Sequence, residues 1–271
     1  MAGDVREKIL LVDDEDDILS LEQKLLSHYQ TFLAHDGVEA LSFLKENRDI
    51  ALIVSDFKMP GMDGLEFLKK SKELYPDIPF YILTGFGDKN SVVALFEQGL
   101  DGYLDKPFLT DDFLKTVEEA LEKKRQQIAE ENELFLLFLD DAEQNLGEID
   151  YKVNTLNDNP DALKDIKRLL HTLKGSSSFI NGCDQISELS HKAEDMIKLF
   201  VEKGSPLNEE AVSALLEAVD FLRGMLTEFK LNRTKRFDLS EIVLKLSLKK
   251  VEVAQEQKDL KNEVKLEEKK I

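Results

Sequence analysis

Five side chains that could do chemistry stand where short apolar stretches of the 271-residue sequence end: Asp13, Asp14, Asp56, Thr84 and Lys106. If these stretches are parallel strands, their carboxyl ends share the edge of a sheet where ligands bind. Carboxylates gathered in one crevice repel one another and raise each other's pKa unless a cation neutralises them. Mg²⁺ suits two or three carboxylates that leave room for water and phosphate. The pattern therefore predicts a magnesium site at this edge.

A histidine on a predicted helix over 161–181 is the second candidate site. The apolar positions of that helix form one stripe, which consists of Ile166, Leu169, Leu170, Leu173 and Ile180. His171 lies off the stripe, and its neighbours three, four and seven residues later are Lys174, Gly175 and Ser178. Gly175 costs about 1 kcal/mol in a helix interior, and clearance for a partner gives it a reason. We therefore predict an exposed imidazole beside an ammonium group.

The elements that position the strand-end side chains alternate between two periods. Apolar stretches rich in β-branched or aromatic residues predict strands at 8–12, 31–34, 50–55, 80–84 and 102–104. Helical spacing between them predicts helices near 16–28, 37–47, 64–74, 89–98 and 111–125. Five strand–helix units in a row imply a parallel sheet that is covered on both faces through right-handed crossovers. We predict an α/β domain over 1–125 with a five-stranded, doubly wound parallel sheet.

Beyond residue 125 the strand signals stop and helical spacing continues. Helices joined by short turns predict an antiparallel four-helix bundle over 126–232, with helices at 134–156, 161–181, 185–203 and 209–231. The connection 122–133 contains neither Gly nor Pro, so the last helix of the first domain should run on into the bundle. The segment 233–271 has a net charge of +3, whereas each preceding domain carries −11. We predict a charged, partly disordered C-terminal tail, with strand and helix both left open.

The composition limits the classes of function. The formal net charge of −19 disfavours nucleic acid and anionic membranes as ligands, because like charges repel. The apolar runs fall far short of the ~20 residues that a bilayer requires, so no membrane insertion is expected. The single cysteine, Cys183, cannot form an internal disulfide, and residues 1–12 do not resemble a signal peptide. These features predict a protein of the reducing cytoplasm.

The motifs of the first domain resemble the receiver domain of two-component response regulators. The resemblance covers nearly all of 5–125 and rests on Asp13-Asp14, the run DFKMPGMDG from Asp56, Thr84-Gly85 and the run YLDKPF from Tyr103. It implies a flavodoxin-like fold in which Asp56 accepts a phosphoryl group. It also implies the ligands of Mg²⁺, which are Asp13, Asp14, Asp56 and the backbone carbonyl of Lys58.

The same resemblance assigns roles to the other strand-end residues. Thr84 is implied to bond a phosphoryl oxygen, and Lys106, beside a cis bond to Pro107, is implied to pair with the phosphoryl charge. Tyr103 matches the aromatic switch position and would act together with Thr84. The chemistry agrees, because a carboxylate that attacks phosphorus forms an acyl phosphate while metal and lysine neutralise the equatorial oxygens.

The residues around His171 resemble a histidine phosphotransfer (Hpt) domain. The match covers roughly 130–232 and rests on the run HTLKGSSSF from His171 and on His191-x-x-Glu194, which is similar to the phosphotransfer domain of chemotaxis histidine kinases. It implies that His171 carries a phosphoryl group on nitrogen and that Lys174 attracts the incoming group. Glu194, with His191 as a further option, is implied to bond the second ring nitrogen and hold one tautomer.

Together the two resemblances predict a two-component or phosphorelay signalling protein. The sequence contains no Gly-rich ATP motif of a kinase, so we expect no kinase activity beyond receiver autophosphorylation and autodephosphorylation. Histidine kinases or other receivers must then be partners, and a homodimer stays open. One alternative is a phosphorylation-gated binding adaptor in which His171 carries no phosphate. A second, an aspartate-nucleophile phosphatase, is disfavoured because Lys58 stands where such enzymes typically place a second Asp.

Overall fold

A computed structural model describes residues 6–85, 95–156, 159 and 161–248 of the chain, which divides into two compact units, Met1–Glu130 and Glu131–Ile271. The first unit holds one sheet of five strands, which are β1 (Lys8–Val12), β2 (Gln30–Ala34), β3 (Ile50–Asp56), β4 (Phe80–Gly85) and β5 (Gly102–Lys106). All neighbouring strands are parallel, in the order β2-β1-β3-β4-β5. The predicted five-stranded, doubly wound sheet is confirmed.

Both faces of this sheet are buried. Along β1, Ile9 and Leu11 pack into one apolar cluster, whereas Leu10 and Val12 pack into the other. Such alternation between two covered faces is typical of a parallel sheet. The helices of this unit include α1 (Asp16–Leu25), α2 (Gly37–Glu46) and α3 (Gly64–Leu74). The helix predicted near 89–98 lies mostly outside the described residues, which are helical at 95–97.

The strand order fixes where the candidate site must lie. β1 pairs with β2 on one side and with β3 on the other, so the topological switch point lies at the carboxyl ends of β1 and β3. Asp13 directly follows β1, and Asp56 is the last residue of β3. Val12 stands opposite Ser55 in the register, which brings the two aspartates to one crevice.

The second unit is a bundle of helices. The 45-residue helix α4 (Thr110–Asn154) begins in the first unit and continues without a break into the second, as the composition of 122–133 predicts. The other long helices are α5 (Ala162–Ser178), α6 (Asp184–Lys203) and α7 (Glu209–Leu231). Lys230 bonds Glu143 and Arg223 bonds Asp150, so α4 and α7 are antiparallel.

The packed part of this unit extends to residue 248. Residues 240–248 are helical, and Leu239, Ile242 and Leu246 are buried in the core of the bundle. The side chain of Gln185 exchanges two hydrogen bonds with the backbone of Phe237, which anchors the segment to α6. The sequence left strand and helix open for the predicted tail, and residues 240–248 of it are a helix. Residues 249–271 lie outside the described residues. No helix in the described ranges is long and apolar enough to cross a membrane.

Candidate functional site

Lys106 joins the carboxylates at the ends of β1 and β3. Its ammonium donates a hydrogen bond of 2.7 Å to Asp13 Oδ2 and another to Asp56 Oδ1. Asp13 is buried, and the side chains of Asp56 and Lys106 are 13% and 23% exposed. Two ionised carboxylates on one ammonium leave the group with a net charge of −1. The crevice is therefore still attractive to a further cation.

The backbone around Asp56 holds its carboxylate in one direction. The amide of Lys58 donates to Asp56 Oδ2 over 2.7 Å, so the two carboxylate oxygens have different partners. Gly64, the first residue of α3, lies directly against this backbone, and a Cβ at Gly64 would stand 2.5 Å from the Asp56 carbonyl oxygen. Any larger residue at that position must displace Asp56, which explains the glycine.

The other residues predicted for this site differ in exposure. Thr84, at the end of β4, is buried, whereas Asp14 is exposed. Tyr103 on β5 is 38% exposed, and its ring packs edge-on against Phe96 with 6.2 Å between the centroids. The bond between Lys106 and Pro107 is cis. Within the described part of the chain, no hydrogen bond joins Asp14, Thr84 or Tyr103 to the cluster of Asp13, Asp56 and Lys106.

His171 on α5 is exposed and held from one side. Its side chain is 68% exposed, and its Nδ1 lies 2.9 Å from Oε1 of Glu194 on α6. The other oxygen of Glu194 accepts a hydrogen bond of 3.2 Å from the Lys174 ammonium. An ionised carboxylate can only accept a hydrogen bond, so the contact with Glu194 favours the His171 tautomer that has its hydrogen on Nδ1 and a lone pair on Nε2. The structure thus brings together His171, Lys174 and Glu194.

His191 and Gly175 are the other two residues singled out near His171. Glu194 contacts the His171 ring, whereas the Nε2 of His191 lies 3.7 Å from Asp195 Oδ1, and among the described residues no hydrogen bond joins His191 to His171. A Cβ added at Gly175 would meet no heavy atom within 4 Å. Nothing in the described structure forces a glycine there, and clearance for a partner stays a prediction.

Both units match models of known protein families. The response regulator receiver domain matches residues 9–118, and the Hpt domain matches residues 133–229. A chemotaxis protein CheY homolog of Campylobacter jejuni is 32% identical over 123 residues, which cover 42% of this chain and 92% of the relative. The chain belongs to the response-regulator receiver family. Its receiver is followed by an Hpt domain, and neither matched domain is a kinase domain.

A longer relative and a solved structure also match the receiver part of the chain. Response regulator MprA of Mycobacterium bovis is 35% identical over 127 residues, which cover 46% of this chain and 55% of the relative. The chain therefore spans little more than half the length of that relative. A solved response regulator receiver domain protein from Clostridium thermocellum is 31% identical and covers 45% of this chain and 98% of its own, with a TM-score of 0.43.

The receiver crevice has donors of the kind that Mg²⁺ requires. The carboxylate oxygens of Asp13 and Asp56 are hard ligands, and they outnumber the positive charge beside them. In the described ranges no three His, Cys, Asp or Glu side chains lie close enough to hold a metal as they stand. The Lys106 ammonium occupies the position between the two carboxylates. The donor chemistry therefore fits the ion, which would share the oxygens of Asp13 and Asp56 with Lys106.

Electrostatics keep the Lys106 ammonium charged. Burial lowers the pKa of Lys106, but its hydrogen bonds to Asp13 and Asp56 outweigh burial and hold that pKa above its ordinary value. In the Hpt domain, burial likewise raises the pKa of Glu194, but the hydrogen bonds from His171 and Lys174 outweigh it, so the net shift is downward. Each candidate site thus contains a group whose charge is stabilised by its neighbours.

Glu22 is a receiver residue that the sequence analysis missed. It lies on α1 at 1% exposure, and its Oε1 has no hydrogen-bond partner in the described structure. Burial, followed by the negative charge of Asp13, raises the pKa of Glu22 to about 8, although the charge of Lys106 opposes the shift. The signal was its position three residues after the buried Leu19 and four before the buried Leu26, on the apolar face of α1.

Proposed function

We propose that this chain is a two-component signalling protein with two phosphoryl-accepting side chains, Asp56 of a receiver over 1–125 and His171 of a phosphotransfer bundle that begins at 126. One observation supports this most strongly: neighbouring groups hold each nucleophile in a fixed orientation. The Lys58 amide and the Lys106 ammonium orient the Asp56 carboxylate. Glu194 holds Nδ1 of His171 and leaves Nε2 exposed.

At the receiver, an oxygen of Asp56 attacks the phosphorus of a phosphodonor while the bond from phosphorus to the donor breaks. The Lys106 ammonium offsets the charge of the phosphoryl oxygens, and the Thr84 hydroxyl bonds one of them. Mg²⁺, when bound, supplies further neutralisation of that charge. The residues proposed to hold the ion are Asp13, Asp14, Asp56 and the Lys58 carbonyl.

The output of the receiver is proposed to pass through Thr84 and Tyr103. Thr84 is buried at the end of β4, and the Tyr103 ring lies at the surface against Phe96. If phosphorylation draws Thr84 toward the phosphoryl group, the Tyr103 ring gains room to turn inward. The surface beside β5 then changes shape, and a partner that prefers one shape reads the state of Asp56.

At the bundle, Nε2 of His171 attacks phosphorus and becomes the carrier atom. Positive charge that develops on the ring is stabilised through Nδ1 by the Glu194 carboxylate, and Lys174 attracts the incoming phosphoryl group. Neither site makes its own phosphodonor from ATP, so histidine kinases and other receivers are the proposed partners, in a cytoplasmic setting. The negative net charge supports protein partners over nucleic acid or membrane.

Phosphotransfer profiling tests this function. The full chain and its His171→Gln and Asp56→Asn variants are incubated with a panel of autophosphorylated histidine kinases, and the phosphorylated residue is mapped by mass spectrometry. We expect at least one kinase to label the chain, with acid-labile phosphate on His171 or base-labile phosphate on Asp56. Label on Asp56 alone, with His171 never phosphorylated by any donor, would instead favour the adaptor.

A further inference from the structure

The chain after α7 packs against the bundle beyond the part that matches the Hpt domain. The match ends at residue 229, and we call residues 233–248 the C-terminal segment. Its buried side chains are Leu239, Ile242 and Leu246, which belong to the core of the bundle. The Arg233 guanidinium lies 3.7 Å from the centre of the Phe135 ring on α4. The segment is therefore a packed part of this unit, although it lies outside the Hpt match.

The C-terminal segment passes directly over the turn between α5 and α6. Gly182 in this turn has a φ of 85°, and a Cβ there would stand 2.8 Å from the Arg233 carbonyl oxygen, so both the backbone and the close approach favour glycine. The side chain of Gln185 exchanges hydrogen bonds of 2.8 and 3.0 Å with the backbone of Phe237. The Phe237 ring packs edge-on against Phe229 on α7, with 5.4 Å between the centroids. The segment thus ties the first turn of α6 to the rest of the bundle.

The first turn of α6 depends on such contacts because it has no side-chain cap. Among the described residues, the side chain of Cys183 at the N-cap position makes no capping hydrogen bond. The first amide groups of a helix have no partner within the helix, so a start without a cap is less stable than a capped one. The bonds between Gln185 and Phe237 hold this start from outside the helix.

The opposite side of this turn contacts α5 beside His171. Ser187 lies two residues after Gln185, about 200° around the helix axis, and its hydroxyl donates a hydrogen bond of 3.0 Å to the Lys174 carbonyl. Glu194 lies seven residues after Ser187 on the same face of α6, and it accepts a hydrogen bond from the Lys174 ammonium. The same Glu194 contacts Nδ1 of His171. A shift of the first turn would therefore reach the His171 ring through Lys174 and Glu194.

We propose that the C-terminal segment positions the His171 ring for phosphoryl transfer. By fixing the first turn of α6 against the bundle, it keeps Glu194 at Nδ1 of the ring and Lys174 beside it. Gln185 and Ser187 are then positioning residues, since they act on the ring through Lys174 and Glu194. The inference rests on the function proposed above, because the ring has to carry phosphate for its position to matter.

The first variant breaks the contact with the C-terminal segment in the full-length chain. Gln185→Met keeps the length of the side chain but removes both hydrogen bonds to Phe237. The ring nitrogens of ¹⁵N-labelled histidine are observed by NMR at a pH where the rings are neutral; His171→Gln identifies the His171 signals, and Glu194→Ala gives the reference for a ring without its carboxylate. We expect the fraction of His171 with hydrogen on Nδ1 to fall towards this reference. Phosphoramidate labelling of His171 should slow about tenfold, less than the roughly 100-fold that a misplacement of about 1 Å can cost.

Ser187 provides a second, milder test. Ser187→Ala removes the bond to the Lys174 carbonyl and should shift the His171 ring signals in the same direction, whereas Ser187→Thr keeps the hydroxyl and should preserve the signals of the unchanged chain. Gln144→Met on α4 and Ser213→Ala on α7 make the same replacements at exposed positions. Both controls should leave the ring signals and the labelling rate unchanged.

Urea unfolding of the same variants separates positioning from stability. If Gln185→Met and Ser187→Ala lower the free energy of unfolding but leave the His171 ring signals and labelling rate of the folded chain unchanged, the segment only stabilises the bundle and the inference is overturned. If one of the two variants does not fold, the other decides. If phosphoramidate does not label His171 even in the unchanged chain, the proposed function fails, and the ring signals still decide whether the segment positions the imidazole.

Discussion

The two proposed phosphoryl acceptors lie in opposite surroundings. The Asp56 side chain is 13% exposed and is bonded by the Lys58 amide and the Lys106 ammonium. The His171 side chain is 68% exposed and is bonded on one ring nitrogen by Glu194. The receiver thus places an ammonium directly beside Asp56, whereas the bundle presents an imidazole that is open to solvent on most sides.

This difference explains which phosphodonors each site should accept. We expect a small donor such as acetyl phosphate to react at Asp56, because Lys106 and Mg²⁺ are proposed to replace the missing contacts of a larger donor. An exposed imidazole has no comparable enclosure, so a small donor should label His171 only slowly, and fast transfer to it requires the surface of another protein. The buried site is therefore self-contained, and the exposed site depends on docking.

The largest expected effect is at the buried site. Asp56→Asn should abolish Mg²⁺-dependent labelling of the full chain by acetyl phosphate, because it removes the carboxylate oxygen that forms the anhydride. The measurement is phosphate incorporation followed by mass spectrometry. Asp49→Asn is the control, since Asp49 is an exposed carboxylate bonded to Lys8. Labelling of Asp56→Asn at the rate of the unchanged chain would place the acceptor elsewhere.

The next prediction tests whether the Lys106 ammonium lets the receiver react with a small phosphodonor. Lys106→Met leaves the carboxylates of Asp13 and Asp56 without their shared cation, and we expect the rate of acetyl phosphate labelling to fall by about 10²–10³, as when one charge-stabilising donor is lost. Lys8→Met, which removes an ammonium paired with Asp49, is the control. A loss smaller than threefold, in a variant with unchanged circular dichroism, would mean that Lys106 does not stabilise the transferring group.

A third prediction uses the buried carboxyl of Glu22. Its pKa of about 8 in the folded chain exceeds the ordinary 4.5, so the folded state keeps a proton that the unfolded state loses. Below pH 4.5 the Glu22 carboxyl is protonated in both states, and its contribution to the free energy of unfolding is fully present. As the pH rises from 4.5 to about 8, only the unfolded state ionises, so this contribution is progressively lost. At pH 7 the free energy of unfolding is therefore lower by about 3 kcal/mol, since each pH unit above 4.5 costs about 1.36 kcal/mol.

Urea unfolding between pH 5 and pH 8 measures this effect. Relative to the unchanged chain, Glu22→Gln should gain free energy of unfolding steadily with pH, because its amide does not titrate. Glu66→Gln, which alters an exposed carboxylate on α3, is the control and should show no such trend. A free-energy difference between Glu22→Gln and the unchanged chain that stays constant with pH would show that Glu22 is ionised in the fold.

The smallest expected effect is at the exposed site. Glu194→Gln keeps a hydrogen-bond acceptor but removes the charge that supports the His171 ring, so phosphotransfer to His171 should slow about tenfold, as for one charge-assisted hydrogen bond of at least 1.5 kcal/mol. The hydrogen bonds from His171 and Lys174 hold the pKa of Glu194 below its ordinary value, so its carboxylate stays charged beside the ring. Glu188→Gln, an exposed carboxylate earlier on α6, should transfer normally. Equal rates for the two variants would remove Glu194 from the site.

The same contrast governs how much could be read from the sequence. Asp13, Asp56 and Lys106 were predictable as neighbours, because parallel strands bring their carboxyl ends to one edge of a sheet. The exposure of His171 followed from its position off the apolar stripe of α5. The pattern did not show that one ammonium bonds two aspartates, since Lys106 and Asp13 are 93 residues apart and the contact depends on side-chain rotamers.

Glu22 and the segment after residue 232 show where local pattern fails. A carboxylic acid on a helix is normally assigned to solvent, so the position of Glu22 on the apolar face of α1 does not by itself establish that its side chain is buried. Leu239, Ile242 and Leu246 repeat at helical spacing, but the stretch is short, and its burial depends on contacts with α6 that are 52 residues distant in sequence. Tertiary packing decides such segments.

The most direct test of the central claim, that one chain carries two different phosphoryl acceptors, is a mapping of phosphate after treatment with phosphoramidate and Mg²⁺. The full chain, Asp56→Asn, His171→Gln and the double variant are compared by intact mass and peptide mapping. The account predicts phosphate on both residues of the full chain, on one residue of each single variant and on neither position of the double variant. Alkali should remove the aspartyl phosphate and leave the histidyl phosphate, which acid removes. Unchanged phosphate incorporation in the double variant would contradict the account.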